Sequence, residues 1–236
     1  MSTLAPTGVS FTADQTFFTR LAIGISLFII FAFAQFSLRG MVRFEAVPWW
    51  THLHAFAMLS WLALWIAQNH LAGRGNLRLH ARLGWTGMVL AMGIGALGIY
   101  TGQMAITLGR VPPFFSDPFF LALTAVEATA FTAVVLTAIA MRRQTEWHRR
   151  LILVSAVIIL EPALGRLSPL PFMGVWVYWT VLVLQLMVLG IAMRHDQKVH
   201  GRVHAALWVG ALALVSCTPC FNPLHSQIGL QQSLPS

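Results

Sequence analysis

Residues 51–70 read "THLHAFAMLSWLALWIAQNH", twenty consecutive positions without an Asp, Glu, Lys or Arg. A helix of that length rises about 30 Å, which is the thickness of the hydrocarbon core of a bilayer. The stretch therefore predicts a membrane-spanning helix. It nevertheless contains His52, His54 and His70, although an apolar helix needs no imidazole to be stable in lipid. These histidines either hold a ligand or mark the points where the helix leaves the membrane.

The composition of the whole chain is that of a membrane protein. Of its 236 residues, 57% are hydrophobic and 9% are charged, and the mean hydropathy is +0.72. Soluble domains carry about 25% charged residues, so this chain has too few charges to cover a surface in water. The net charge of +8 does not indicate nucleic-acid binding, because the basic residues stand in short clusters between apolar runs. We expect the lipid bilayer as partner, no nucleic acid, and a location in the bacterial inner membrane.

The apolar runs predict an all-α integral membrane bundle of seven transmembrane helices with a cytoplasmic N-terminus. Residues 1–16 are expected to form a cytoplasmic tail, 17–221 the transmembrane domain and 222–236 a polar C-terminal tail. The predicted spans are residues 19–38, 48–72, 81–104, 117–141, 149–166, 172–193 and 203–221.

The basic residues orient this bundle. Eleven of them fall before the first span or in alternate loops, and four fall at the other end of the spans. Since cytoplasmic loops carry an excess of Lys and Arg, the larger group predicts the cytoplasmic side. The larger group is Arg20, Arg74, Arg78, Arg82, Arg142, Arg143, Arg149, Arg150, Arg194, Lys198 and Arg202; the smaller is Arg39, Arg43, Arg110 and Arg166.

One face of the second span is unusually polar for a helix in lipid. Helical spacing places His54, Met58, Trp61, Trp65 and Gln68 on this face. Polar side chains within a membrane normally turn toward the interior of the bundle. The face is either the wall of a cofactor or quinone site, or a set of hydrogen-bonding groups between helices, with His52 and His54 at the outer interface of the membrane.

The third span carries a face of small residues. Close helix packing explains such a face, but the face would also leave room for a flat macrocycle beneath a histidine ligand. The residues on it are His80, Gly84, Gly87, Ala91, Gly95, Gly98 and Gly102.

A weak repeat places three histidines at similar depth. The segments "LHARLGW" (79–85), "WHRRLIL" (147–153) and "VHAALWV" (203–209) each introduce a span with a histidine. Neutral imidazole is the commonest protein ligand of transition metals and an axial ligand of haem iron. His80, His148 and His204 therefore either form a nitrogen-rich metal or haem site, or contact lipid headgroups and helix ends.

Ionisable residues also occur within predicted spans, where they are costly. Glu127 lies in the fourth span, and Glu161 and Arg166 lie in the fifth. Their roles could be a proton relay, a carboxylate clamp through Arg166, or ion pairing between helices. Pro162 cannot donate a backbone hydrogen bond, so it frees the carbonyl of Ile158.

Other features exclude classes of protein. Lys198 is the only lysine and lies in a loop, so a retinal Schiff base in the last span is excluded. The sequence has no Walker loop, dinucleotide fingerprint or H-E-x-x-H motif. Cys217 and Cys220 form a C-x-x-C pair that is either a disulfide or two inert thiols, because the βαβ context of a redox motif is absent.

Two long motifs resemble those of known membrane proteins. "HAFAMLSWLALWIAQNHLAGRGNLRLHARLGWTG" (54–87) and "RRQTEWHRRLILVSAVIILEPALGR" (142–166) resemble a large set of uncharacterised bacterial multi-span proteins. The first motif is also similar to the histidine-led helix pair of the ascorbate-linked di-haem cytochromes b. That resemblance implies His54 as an outer haem ligand, His80 as an inner one and His148 as its inner partner. Apart from His52 and His225 there is no second outer histidine, so it implies one bis-histidine site, or an outer site completed by methionine.

We therefore expect a membrane redox protein that binds haem b or a transition metal through helix-end histidines and exchanges electrons with a quinone. The alternative is a non-catalytic accessory or assembly subunit of a larger membrane complex. A proton-coupled carrier that uses Glu127, Glu161 and Arg166 is a third interpretation. No residue is assigned a catalytic role. The candidate cofactor residues are His54, His80, His148, His204, Trp61, Gln68 and Arg166, with His80, His148 and His204 as candidate metal ligands.

Overall fold

The computed structural model describes residues 8–112, 115–168 and 176–218, with side chains from residue 13 onward. Within these ranges the chain is helical and contains no β-strand. The α-helices are α1 (Gly8–Leu38), α2 (Trp49–Gly73), α3 (Leu77–Thr107), α4 (Asp117–Ala140), α5 (Thr145–Ile158), α6 (Glu161–Leu167), α7 (Trp176–His200) and α8 (Ala205–Cys217), and a short 3₁₀ helix covers Phe44–Ala46.

Four helices are long and apolar enough to cross a bilayer: α1 from Ala13, α3, α4 and α7. The all-helical membrane class predicted from the sequence is therefore confirmed. The 25 residues of α2 are also long enough to span a bilayer, but α2, which carries three histidines, is not one of these four. Large apolar side chains such as Leu27, Phe31 and Leu212 are more than half exposed, as expected for contact with lipid tails.

Successive long helices run in opposite directions, which gives the bundle two ends. At one end the Gln15 amide of α1 donates to the Asn69 carbonyl of α2 at 2.6 Å. At the other end the Gln35 amide donates to the Arg166 carbonyl at 3.3 Å. We call the end that holds the α2–α3, α4–α5 and α7–α8 loops the arginine-rich end, and the other the opposite end.

The fifth predicted span is interrupted rather than continuous. α5 ends at Ile158 and α6 begins at Glu161, with Pro162 in its first turn. The carbonyls released by the break are bound from another helix: the Gln185 amide of α7 donates to the oxygens of Val157 at 2.9 Å and Ile158 at 3.4 Å. The predicted release of the Ile158 carbonyl is confirmed. The partner on α7 was beyond prediction because it is remote in sequence.

The small-residue face of α3 is filled by its neighbours. A Cβ added to Gly95 would overlap the Thr132 hydroxyl of α4, and one added to Gly102 would overlap that of Thr124. Close packing, one of the two interpretations of this face, is confirmed. Beside Gly95 and Gly102, α4 occupies the space that a flat macrocycle would need, whereas the part of the face nearer to His80 faces α2.

Two helix junctions at the arginine-rich end require glycine. Gly75 follows α2 with φ of 72°, and Gly201 follows α7 with φ of 69°, a backbone region that residues with a Cβ rarely adopt. The Asn76 side chain then caps α3 by accepting from the Leu79 amide at 3.3 Å. This turn and cap fix the position of His80, four residues beyond Asn76.

Candidate ligand site at the arginine-rich end

His80 and His148 lie side by side at the arginine-rich end. Each is the fourth residue of its helix, α3 for His80 and α5 for His148. Their ring centroids are 6.2 Å apart, and the ring planes are nearly perpendicular at 83°. The sequence repeat predicted similar depth for these two histidines, and the structure brings their side chains together.

Both imidazoles are held through Nδ1. The Nδ1 of His80 lies 3.3 Å from the Gln68 carbonyl oxygen, and that of His148 lies 2.8 Å from the Ala138 carbonyl oxygen. A carbonyl oxygen can only accept, so Nδ1 carries the proton in each ring and the lone pair is left on Nε2. Metal-binding histidines are commonly oriented in this way.

No described residue forms a hydrogen bond with either Nε2. Both nitrogens are therefore free to accept a ligand bond.

Gln68 fixes His80 in two ways. Its backbone carbonyl receives the His80 Nδ1–H, and its side-chain amide donates to the His80 carbonyl oxygen at 3.0 Å. These two hydrogen bonds connect the end of α2 to the start of α3. Gln68 belonged to the predicted cofactor residues, and the structure gives it a position beside His80 as an orienting residue.

The environment of His148 favours its neutral form. Burial lowers the pKa of His148, and the nearby Arg149 and His80 groups act in the same direction. The hydrogen bond to Ala138 opposes this shift. Because Ala138 lies in the last turn of α4, its carbonyl has no partner within the helix, and His148 supplies one.

His204 does not join this pair. It lies outside α8 as its N-cap, where its Nδ1 accepts from the Ala206 amide at 3.1 Å. Its ring packs edge-on against Trp147 at 5.1 Å. The structure therefore does not bring the three histidines together. His80 and His148 lie inside their helices, whereas His204 precedes its helix, and the sequence repeat does not distinguish these positions.

The polar face of α2 points into the bundle, as its spacing predicted. Trp61 and Trp65 are buried, and the Trp61 ring packs edge-on against Phe131 at 5.2 Å. Among the described residues, the His54 Nδ1, Trp61 Nε1 and Gln68 Oε1 atoms are buried without a hydrogen-bond partner. His52 is exposed, and His225 lies outside the described residues.

Arg166 is far from the histidine pair, at the opposite end. Its guanidinium donates to the Pro162 carbonyl at 2.7 Å and lies over the Phe33 ring at 4.0 Å. It also interacts electrostatically with Glu161 and Glu127. Arg166 therefore cannot serve the same ligand as His80 and His148.

A buried charge network at the arginine-rich end was missed by sequence reasoning. Asp14 of α1 is 2% exposed, and it accepts hydrogen bonds from Arg149 at 3.0 Å, His195 at 2.8 Å and His200 at 3.0 Å. The only sequence signal for this network was Asp14 itself, an aspartate close to the beginning of an apolar span. Its partners could not be found from spacing because they lie more than 130 residues away.

A second part of this network lies beside the first. Arg150 and Asp196 form a bidentate ion pair with distances of 2.9 and 2.6 Å, and Arg150 also contacts Glu146. Asp196 further accepts from the His204 backbone amide at 3.0 Å. The network thus joins α5, α7 and the start of α8.

Three groups in the network are close enough to hold a cation. Potential ligand atoms of Asp14, Glu146 and His200 all lie within 4.8 Å of one another. Both carboxylates, however, already face guanidinium groups, Asp14 that of Arg149 and Glu146 that of Arg150. These positive charges oppose a cation, so the arrangement is best explained as ion pairing between helices.

Comparisons with protein-family models, with curated proteins and with solved structures found no match to this chain.

Proposed function

We propose that this chain is a membrane redox protein that binds haem b or a transition metal through His80 and His148. The supporting observation is the state of the two imidazoles: each has its Nδ1–H on a backbone carbonyl, and their centroids are 6.2 Å apart. One metal atom about 2 Å from each of two imidazole nitrogens would give a similar spacing.

The number of protein ligands favours haem over zinc. No third imidazole, thiolate or carboxylate in the described part of the chain forms a ligand group with this pair, whereas protein zinc sites need three or four such groups. His80 and His148 would hold haem b through their imidazoles, and haem iron would supply one-electron exchange. The chain would contribute the ligands, their orientation through Gln68 and Ala138, and the environment that keeps His148 neutral.

A quinone as the electron-exchange partner is a further part of the proposal. The polar face of α2 supports it through His54 and Trp61, whose ring nitrogens are buried and unpartnered. His54 would be the group that binds a quinone oxygen, since Trp61 and Trp65 lie deeper in the core.

The proposed topology has seven crossings, with the N-terminus and the arginine-rich end in the cytoplasm of a bacterial inner membrane. In this topology α2, the interrupted α5–α6 segment and α8 also cross. The eleven basic residues at one end and the four at the other support this orientation.

The visible spectrum of the purified protein tests the proposal. We expect a Soret band and a reduced-minus-oxidised α band, both lost to background in His80→Ala and in His148→Ala. His70→Ala is the matched control, because His70 is an exposed histidine at the arginine-rich end of the bundle. This variant should keep both bands. Metal content measured on the same samples distinguishes haem from a bare transition metal.

A colourless, metal-free wild-type protein that elutes as a single species would overturn the redox proposal. The alternative of a non-catalytic accessory or assembly subunit would then be favoured. In that case His80 and His148 would serve only to join α3 and α5 through edge-to-face packing.

A further inference from the structure

The arginine-rich end exposes an almost wholly basic surface. Of the eleven basic residues at this end, Arg149 is partly buried and Arg150 is buried, and the other nine are exposed. A dense group of like charges attracts anions to the surface that carries it. The nine exposed residues are Arg20, Arg74, Arg78, Arg82, Arg142, Arg143, Arg194, Lys198 and Arg202.

The acidic residues of the chain do not neutralise this surface. The chain has seven Asp and Glu residues, and those at this end are Asp14, Glu146 and Asp196. Asp14 is paired with Arg149, and the other two are paired with Arg150. No carboxylate in the described part of the chain forms an ion pair with any of the nine exposed basic residues. The counter-charge for this surface must therefore come from outside the chain.

Arg142 and Trp85 form a local group within this surface, where the end of α4 meets α3. The Arg142 guanidinium lies 5.4 Å from the centroid of the Trp85 ring and donates to the Ile139 carbonyl at 3.3 Å. These two contacts orient the guanidinium beside the indole. Arg82 precedes Trp85 by three residues, so helical spacing places both on the same face of α3. Two cationic side chains thus lie beside one exposed aromatic ring.

The same face of α3 continues as an exposed apolar stripe. Val89 and Met92 follow Trp85 at the i+4 and i+7 positions. Trp85 is 52% exposed, Val89 62% and Met92 41%, so no described helix covers them. Along α3 the order is therefore a cationic group, an indole and then apolar side chains. A phospholipid has the matching order of phosphate, interfacial region and acyl chain, and tryptophan is enriched at that interface. The stripe favours a lipid over a soluble acidic partner, which would leave it uncovered.

We propose that Arg82, Trp85 and Arg142 bind the headgroup of an anionic phospholipid in the leaflet that surrounds the arginine-rich end. The guanidinium groups donate to the phosphate oxygens, and an acyl chain covers Val89 and Met92. A zwitterionic lipid brings a positive group that the surrounding basic residues repel, so the site selects a lipid of net negative charge. This site is independent of the redox function and of the side of the membrane that the arginine-rich end faces.

Lipid titration of the purified protein in a non-ionic detergent tests this site. Native mass spectrometry counts the bound molecules of phosphatidylglycerol, which is anionic, or of phosphatidylcholine, which is zwitterionic. We expect tighter binding of phosphatidylglycerol. Arg82→Gln and Arg142→Gln should each weaken it about fivefold, which corresponds to about 1 kcal/mol per basic side chain near a membrane surface.

Arg202→Gln is the matched control for these two variants. It removes the same charge from an exposed arginine at the same end, but Arg202 lies in the turn between α7 and α8. It should leave the affinity for phosphatidylglycerol within about twofold of the wild-type value, well short of the fivefold loss per site arginine. All three side chains are exposed, so the melting temperatures of the lipid-free variants should match that of the wild type and show that each is folded.

Three outcomes would overturn the proposal. Equal binding of the two lipids by the wild-type protein would show that the surface does not select a negative headgroup. An equal loss in Arg202→Gln would show that the attraction is spread over all the basic residues rather than centred on Trp85. Displacement of phosphatidylglycerol by inorganic phosphate or by poly-glutamate at the same concentration would assign the arginines to a soluble anion.

Discussion

Arg150 and Asp196 form an ion pair from which water is excluded. Their side chains are 1% and 0% exposed, and the two hydrogen bonds between them are supplemented by Glu146 and the His204 amide. Removing one partner of such a pair leaves a buried charge without compensation. The pair therefore determines how α5, α7 and α8 can be arranged at the arginine-rich end.

We predict that Asp196→Asn destabilises the protein by about 3 kcal/mol, because it leaves the buried Arg150 guanidinium with only the partly exposed Glu146 carboxylate as its counter-charge. The measurement is thermal unfolding in detergent, followed by tryptophan fluorescence. Asp117→Asn is the control, since Asp117 only favours the first turn of α4 and should cost about 0.3–1 kcal/mol. Equal losses in both variants would contradict a dominant role for the buried pair.

His148 makes stability dependent on pH. Its pKa is lowered in the folded protein by burial, so the unfolded chain binds a proton more readily. Between the lowered pKa and the ordinary value near 6.5, we expect stability to increase as pH rises. Thermal unfolding at a series of pH values checks this. His148→Gln, which keeps a donor near the Ala138 carbonyl, should flatten the profile; an unchanged profile would assign the pH dependence to other groups.

At the scale of helices, the contact between α3 and α4 depends on the absence of side chains. Gly95 and Gly102 face Thr132 and Thr124 so closely that a Cβ would overlap either hydroxyl. Thr132 is also held by its bond to the Ala128 carbonyl at 2.8 Å. The two backbones can therefore approach each other only where α3 carries glycine.

Gly95→Leu should destabilise the bundle by about 1–3 kcal/mol or more, the usual cost of overpacking. Gly93→Leu is the matched control, because a Cβ at Gly93 has nothing within 4 Å. Melting temperatures of the two purified variants give the comparison. If both melted alike, the close approach of α3 and α4 would not limit stability.

The helices themselves were predictable because their causes are local. The apolar runs predicted an all-helical membrane protein, and Pro162 predicted the position of the freed carbonyl. The repeat found His80 and His148 because both occupy the same place in their helices. It failed for His204, since a histidine just before a helix and one just inside it look alike in sequence.

Contacts between remote segments could not be predicted. The Gln185 amide donates to a backbone carbonyl at the break between α5 and α6, and Asp14 contacts His195, which lies 181 residues away in sequence. Such pairs depend on how the helices are packed, which spacing within one segment does not encode.

The proposed orientation of the whole molecule rests on its asymmetry of charge. We predict that a fluorescent protein fused after Arg143 is fluorescent, because the proposed topology places that loop in the cytoplasm. Alkaline phosphatase fused after Gly109 should be active, because the same topology places that loop in the periplasm. Reversed activities of the two reporters would show that the bundle is inserted the other way round.

The position of Asp14 has a consequence for the order of synthesis. α1 leaves the ribosome before α7, which carries His195 and His200. Until α7 has been made, the buried contacts of Asp14 with these two histidines cannot form. A chain that still lacks α7 therefore has an Asp14 carboxylate without its two histidine partners.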